Sequence, residues 1–403
     1  MKNGWQTKQL SELYKIGSSK RVLQSQWKTE GVPFYRGREV TRLAADGFVD
    51  NELFISENHF AELSKEYGVP KAGDIVITAI GTIGNSHVVR SADRFYFKDA
   101  SVLWMKRTAE VRSEFVNLWM KSPDFFDQLD RGNGATVDTL TIQKLQSVKI
   151  PVPPLAEQQR IVGLLDEAFA GLATAKANAE KNLQNARALF ESHLQSVFTQ
   201  RGLGWEQKRL ADLADFKNGL NFTRQSSGQT LRMVGVGDFQ EHSVVPIETL
   251  QSVTIDGKLS DDYLIRRDDI LTVRSNGSKD LVGRCMLVPE VDGTTSFSGF
   301  IIRIRFDTHA LSPRFLLHFM KSSATRERLT RDGGGANISN INQAKLSELP
   351  VALPSFKQQE EIAARLDDLR EETQRLARLY ERKLAALDAL KKSLLHQAFT
   401  GAL

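Results

Sequence analysis

Few residues in this chain could do chemistry, and those few are scattered. The 403-residue sequence holds seven histidines, none of which pairs with another at ligand spacing. His193 and His396 fall at the ends of helical patterns, where capping or surface roles suffice. A single cysteine, Cys285, excludes an intrachain disulfide and any multi-cysteine zinc site. The sequence contains no Gly-x-x-x-x-Gly-Lys-Ser/Thr phosphate loop, no His-Glu-x-x-His and no Asn/Asp-Pro-Pro-Tyr/Phe motif of adenine methylation. Gly235-Val236-Gly237 is a fragment of a dinucleotide fingerprint and reads as a turn after a strand. Glu206-Gln207-Lys208 is half of a nuclease motif without its partner acid. Catalysis by this chain is therefore not expected.

Binding chemistry remains. Net charge is +5 and the pI is near 9.1, a lean toward a polyanionic partner. The two long helical segments are nearly balanced in sign, so the basic excess lies between them. Base edges are read by Arg, Lys, Asn, Gln, Ser and Thr, and phosphates by Arg, Lys and backbone amides. Five stretches read as flexible loops rich in these types: Arg36 to Arg42, Thr82 to Asn85, Asn133 to Thr136, Arg274 to Lys279 and Asn337 to Asn340. The candidate nucleic-acid contacts are Arg36, Arg38, Arg42, Thr82, Asn85, Asn133, Thr136, Arg274, Ser275, Asn276, Lys279, Asn337 and Asn340. Trp5 and Trp205 each precede a Leu-x-x-Leu pattern and read as core anchors.

The elements that must position these loops are written twice. Pro153-Pro154-Leu155-Ala156-Glu157-Gln158-Gln159-Arg160-Ile161 and Pro354-Ser355-Phe356-Lys357-Gln358-Gln359-Glu360-Glu361-Ile362 both read as helix starts: proline fits there, Glu157 suits the opening turn, and Ser355 with Gln358 has capping-box spacing. Behind the first, Ile161, Leu165, Ala168, Leu172, Ala175, Ala179, Ala186 and Leu189 form a heptad stripe. Behind the second run Ile362, Leu366, Leu369, Leu376, Leu387, Leu390 and Leu394. A helix over Ala156 to Thr199 would be roughly 65 Å long, more than a small domain needs, and so acts as a spacer. The stripes are predicted to pair antiparallel within the molecule, alanine-rich against leucine-rich; packing on each stripe's own domain, or in a homodimer, is the alternative.

The rest repeats as well. Trp5, Lys8, Leu10 and Leu13 return as Trp205, Lys208, Leu210 and Leu213; Asp74-Ile75-Val76 as Asp269-Ile270-Leu271; Met120-Lys121-Ser122 as Met320-Lys321-Ser322. Gly31 to Val40 reads as strand and turn, Ala72 to Val89 as a hairpin with a glycine loop, Ala100 to Met105 as a strand, and Val111 to Met120 and Thr141 to Gln146 as helices. The expected fold is α+β: two repeated mixed domains, 1–152 and 201–353, separated by two long antiparallel coiled-coil helices, 153–200 and 354–403. No apolar run reaches the roughly 20 residues that span a bilayer. No signal peptide is evident, and a cytoplasmic location is expected.

These residues resemble the specificity (S) subunits of type I restriction-modification systems. The resemblance rests on Pro151-Val152-Pro153-Pro154-Leu155-Ala156-Glu157-Gln158-Gln159-Arg160-Ile161, on Asp74 to Gly84 with its Gly-Thr-Ile-Gly loop, on the closing Gln397-Ala398-Phe399-Thr400-Gly401, and on the full-length duplication. The second copy departs from it at Ser355-Phe356 and at Arg274 to Ser278. It implies two target-recognition domains reading a bipartite, asymmetric double-stranded DNA site. It also implies methyltransferase (M) subunits, two of them, docked on the helices, and restriction (R) subunits joining for cleavage. S-adenosylmethionine, ATP and Mg are expected on those partners, and no cofactor or metal on this chain. The spacer and subunit-interface candidates are Glu157, Gln158, Ile161, Leu165, Leu172, Gln358, Gln359, Ile362, Leu366 and Leu376. The competing expectations are a two-domain DNA-binding adaptor or regulator without restriction partners, and an enzyme with divergent motifs.

Overall fold

A computed structural model of the chain describes residues 4–129, 139–200, 202, 204–223, 225–240, 242–278, 280–291, 294–330 and 340–403. It divides into two compact units. Unit 1 is Met1–Glu180 with Arg382–Leu403, and unit 2 is Lys181–Glu381.

Unit 1 opens with β1 (Gln6–Gln9), a single turn α1 (Leu10–Leu13) and β2 (Tyr14–Gly17). Then come β3 (Val32–Tyr35), α2 (Gly37–Asp46), β4 (Phe54–Ile55) and α3 (Glu57–Glu66). The hairpin β5 (Ile75–Thr78) and β6 (Ser86–Val88) follows, with β7 (Tyr96–Phe97) and β8 (Val102–Arg107) behind it. Helices α4 (Ser113–Trp119), α5 (Pro123–Leu129) and α6 (Ile142–Ser147) and strand β9 (Lys149–Val152) lead into α7 (Leu155–Thr199). The strands form an antiparallel sheet in the order β2-β8-β5-β6, a sheet β4-β3-β7 in which β3 and β7 are parallel, and the ribbon β1-β9. Strand β5 is buried on both faces. Ile75 and Ile77 point into the main core while Val76 joins a second cluster with Val40 and Phe97, as a period of two requires.

Unit 2 repeats this topology with β10 (Glu206–Arg209), β11 (Ala214–Asn218), β12 (Thr230–Val234), β13 (Gln251–Thr254), β14 (Ile270–Val273), β15 (Cys285–Leu287), β16 (Thr295–Phe297), β17 (Ile301–Phe306) and β18 (Pro350–Leu353). Its sheets run β11-β17-β14-β15 and β13-β12-β16, with β12 and β16 parallel and β10 paired to β18. Helices α8 (Pro313–Lys321), α9 (Ser323–Thr330), α10 (Gln343–Ser347) and α11 (Phe356–Thr400) complete the copy. The copies part company after β3 and β12. Unit 1 continues into the ten-residue α2, unit 2 into a single 3-10 turn, Val236–Phe239.

One buried residue pair repeats the same lock. Asp74 is 5% exposed and accepts hydrogen bonds from Lys71 N, Trp104 Nε1 and Arg107 N. Asp269, 2% exposed, accepts from Arg266 N and from both Nε and NH2 of Arg305. Each carboxylate fixes the turn that launches the central strand, and the hydrogen-bond donors around it offset the cost of its burial.

The helix starts are locked alike. Gln158 Oε1 accepts from Arg112 N at 2.9 Å and its Nε2 donates to Pro153 O at 2.8 Å. Gln359 Oε1 accepts from Ser312 N at 2.9 Å and its Nε2 donates to Pro354 O at 3.1 Å. Each glutamine joins the N-cap of α4 or α8 to the turn that opens its long helix. The expected capping box at Ser355 forms, with Gln358 N donating to Ser355 Oγ and Ser355 N to Gln358 Oε1.

Each core takes in both long helices. In unit 1, Ile161 and Leu165 of α7 pack with Phe115 and Trp119 and with Leu395, Ala398 and Phe399 of α11. Arg160 NH2 donates to Leu403 O at 3.0 Å and Lys176 pairs with Asp388 at 3.0 Å, which makes the two segments antiparallel. In unit 2, Phe198 of α7 and Ala363 of α11 pack with Phe315, and Arg187 pairs with Glu381 at 2.8 Å. Two members of the expected stripes are corrected: Leu189 and Leu390 are 52% and 47% exposed. A strict heptad drifts about 20° per repeat around a straight helix. After Ala186 the inward positions therefore fall on Phe190, half-buried, and Leu194, buried. Among the described residues no helix is long and apolar enough to cross a membrane.

Candidate nucleic-acid interface

In unit 1 the β5-β6 hairpin ends in the glycine loop. Asn85 N donates to Thr78 Oγ1 at 3.0 Å and Gly84 N to Thr78 O at 3.1 Å. Gly84 has a φ of 92°, and a Cβ there would lie 2.8 Å from the Phe126 ring, so only glycine lets the loop fold back this tightly. Thr82 is left exposed at the tip, and Asn85, half-buried, reaches Thr41 Oγ1 of α2 at 3.2 Å. Two stretches far apart in sequence are thereby brought together.

The reading of Arg36 to Arg42 as a loop is corrected: Arg36 is the N-cap of α2, and Arg38 and Arg42 lie on the helix. Glu39 explains why. It is 2% exposed, accepts from Arg36 N and Nε, and pairs with Arg36 and Arg38 at 2.9 Å each. Burial opposes its ionisation, but the hydrogen bonds from Arg36 and Arg38 outweigh it and hold its pKa down at about 2. Gly47, with φ of 76°, ends the helix. Arg36 and Arg38 are committed to Glu39, and Arg38 also to Glu52 at 2.7 Å, while Arg42 is exposed.

The return path is the same in both units. Thr139 bridges Ile80 antiparallel and Leu140 N donates to Ala79 O at 2.7 Å. In unit 2, Asn340 bridges Ser275 and Ile341 N donates to Arg274 O at 2.7 Å. The structure thus brings Asn340 beside Ser275, with Arg274 and Asn276 flanking Ser275 in the chain. Asn133, Thr136, Lys279 and Asn337 lie outside the described residues.

A cavity of about 640 Å³ adjoins this junction in unit 2, lined by Leu220, Asn221, Phe222, Gly235, Val236, Ser275, Asn276, Gly277, Ser298, Gly299 and Phe300. Sequence reading missed Asn221, Phe222, Ser298 and Phe300. They meet only because Leu220 bridges Ser298, with Gly299 N donating to Leu220 O at 2.7 Å. The one local signal was the pair Gly219 and Gly299: a Cβ on Gly219 would lie 2.2 Å from Ser298 O.

Of the spacer candidates, Gln158, Ile161, Leu165, Gln359 and Leu366 are buried within their own units. Leu172, Ile362 and Leu376 are half-buried, Glu157 pairs with Arg160 at 2.7 Å, and Gln358 is exposed at its cap. Among the described residues no group of three or more His, Cys, Asp or Glu could hold a metal ion.

This duplicated architecture has a counterpart among known families. The type I restriction modification DNA specificity domain matches residues 2–183 and again 203–381. The chain belongs to that family. The StySPI specificity subunit of a type I restriction enzyme from Salmonella potsdam is 27% identical over 282 residues, covering 67% of this chain and 61% of the relative. The chain thus aligns with less than two thirds of that relative's length. A solved chain from work on complex assembly and conformational transition of the type I R-M system covers 100% of this chain and 99% of its own length, with a TM-score of 0.77 at 18% identity. The crystal structure of the HsdS subunit from Thermoanaerobacter tengcongensis covers 100% and 98%, with a TM-score of 0.65 at 17% identity. At these identities the likeness is one of fold, and it extends over the whole of both specificity domains.

Proposed function

We propose that this chain is the DNA-specificity subunit of a type I restriction-modification complex and that each unit reads one half of a bipartite, asymmetric site. One observation carries the reading: the two units share sheet order, aspartate lock, glutamine lock and return bridge, yet differ in what they hold beside the central hairpin. Unit 1 sets α2 with Arg42 there, and unit 2 sets the aromatic-rimmed cavity. A shared scaffold with unlike reading surfaces is what an asymmetric site requires. Exposed arginine suits phosphate or guanine, and asparagine amides suit adenine.

On this reading the methyltransferase subunits dock on the long helices and bring S-adenosylmethionine to adenine, and the restriction subunits bring ATP and Mg. The chain itself selects the site in the cytoplasm and performs no chemistry. The experiment is to map modified adenines in the host with and without this gene, after co-expression with a methyltransferase partner. Loss of one bipartite methylated motif on deletion is the expected result. An unchanged methylation map, together with no stable complex, would overturn the reading.

A further inference from the structure

We propose that the cavity of unit 2 binds a nucleobase swung out of the stack of the bound DNA. This rests on the reading of unit 2 as the reader of a half-site, and goes beyond it by naming the ligand and its posture.

Shape comes first. The pocket is concave and, at about 640 Å³, falls in the size range of small-molecule sites. A base edge inside a stacked duplex does not project far enough to fill such a space, whereas an extruded base does. Charge comes next. None of the described lining residues is charged, and phosphate is held by arginine, lysine and backbone amides. Phe222 and Phe300 are 38% and 59% exposed at the lining and offer ring faces for stacking.

The polar groups fit a base as well. Ser298 is 7% exposed and lines the cavity, and its Oγ, itself shielded from solvent, has no hydrogen-bond partner among the described residues. Asn276 Oδ1 accepts from Ser278 N at 2.7 Å, which holds the side-chain amide in place at the lining. The walls are set before anything binds: Leu220 N donates to Phe297 O at 2.9 Å, Ser298 N to Val234 O at 3.0 Å and Arg274 N to Phe300 O at 2.9 Å.

The test uses the complex of the full chain with its methyltransferase partner and duplexes carrying 2-aminopurine at each position of the unit 2 half-site in turn, the methylated base excepted. The fluorescence of this probe rises when it leaves the stack. A several-fold rise at one position is expected, lost in Phe300→Ala and in Gly277→Leu. A Cβ at Gly277 meets nothing within 4 Å, so that variant adds bulk at the lining without a clash at its own backbone. Binding to the half-site read by unit 1 and an unchanged melting temperature show that both variants are folded. Free 2-aminopurine riboside forms the second arm, and saturable binding of the nucleoside with no response to duplex would overturn the proposal. So would specific DNA binding with no bright position, or brightness indifferent to Gly277→Leu, and either result leaves the specificity reading standing. Absence of specific DNA binding sinks both.

Discussion

Gln158 bonds two backbone groups, Arg112 N and Pro153 O, and Gln359 bonds Ser312 N, Pro354 O and, at 3.4 Å, Ala310 O. Replacing Gln359 by Leu strands Ser312 N and Pro354 O, both in buried bonds, and is expected to cost about 2–4 kcal/mol. Gln158→Leu should cost less, because Arg112 N is only part-buried. Chemical denaturation of the two variants checks the order, and equal stability to wild type would refute the lock. Lys321 makes a pH-dependent claim. Its Nζ donates to Ser243 Oγ at 2.7 Å, and burial lowers its pKa from 10.5 to about 8. Between those values the unfolded chain binds more protons than the folded one, so stability rises with pH there, and below about 8 the penalty is full. Lys321→Met should therefore raise the melting temperature at pH 7, by an amount that shrinks as pH climbs from 8 toward 10.5. Both glutamines were visible in the sequence as members of a repeated motif. That they face inward was not, because side-chain direction within one helical turn depends on what packs above it.

At the scale of elements, α7 and α11 were the most legible part of the chain. Each is 45 residues without an internal proline, and so long an uninterrupted periodic pattern admits no strand reading. Their inner faces were less legible, since a heptad count accumulates error along a helix of 3.6 residues per turn. Phe399→Ala tests the docking of α11 into unit 1: the ring is 3% exposed and meets Phe115 edge-on at a centroid distance of 5.2 Å. The expected loss is about 3–5 kcal/mol, read by thermal unfolding, against less than about 0.5 kcal/mol for the exposed Leu189→Ala. Helix α2 was misread for a definite reason. Its N-cap is an arginine and its anchoring carboxylate is buried, whereas the usual signature has Ser, Thr, Asp or Asn at the cap. The signal available was Val40 with Leu43, three apart, and Gly47 as the stop.

At the scale of the molecule, duplication made the architecture readable, and divergence between the copies hid the surfaces beside the central hairpins. The cavity of unit 2 is assembled from four separate stretches, and no local pattern announces that these meet. On the proposed function, replacing residues 219–300 by the matching segment of another family member should change only one half of the methylated motif, the half assigned to unit 2. Methylation mapping that showed both halves altered would contradict the independence of the two readers. The composite make-up of unit 1 has a consequence for how the chain is born. Its core is closed by Phe399, synthesised some 200 residues after Glu180. At bacterial or eukaryotic elongation rates of about 5–20 residues per second, the nascent first half waits on the order of 10–40 s for its last piece. During that interval Ile161 and Leu165 of α7 lack the Leu395, Ala398 and Phe399 they pack with, so a nascent chain that has not reached α11 leaves that apolar side uncovered.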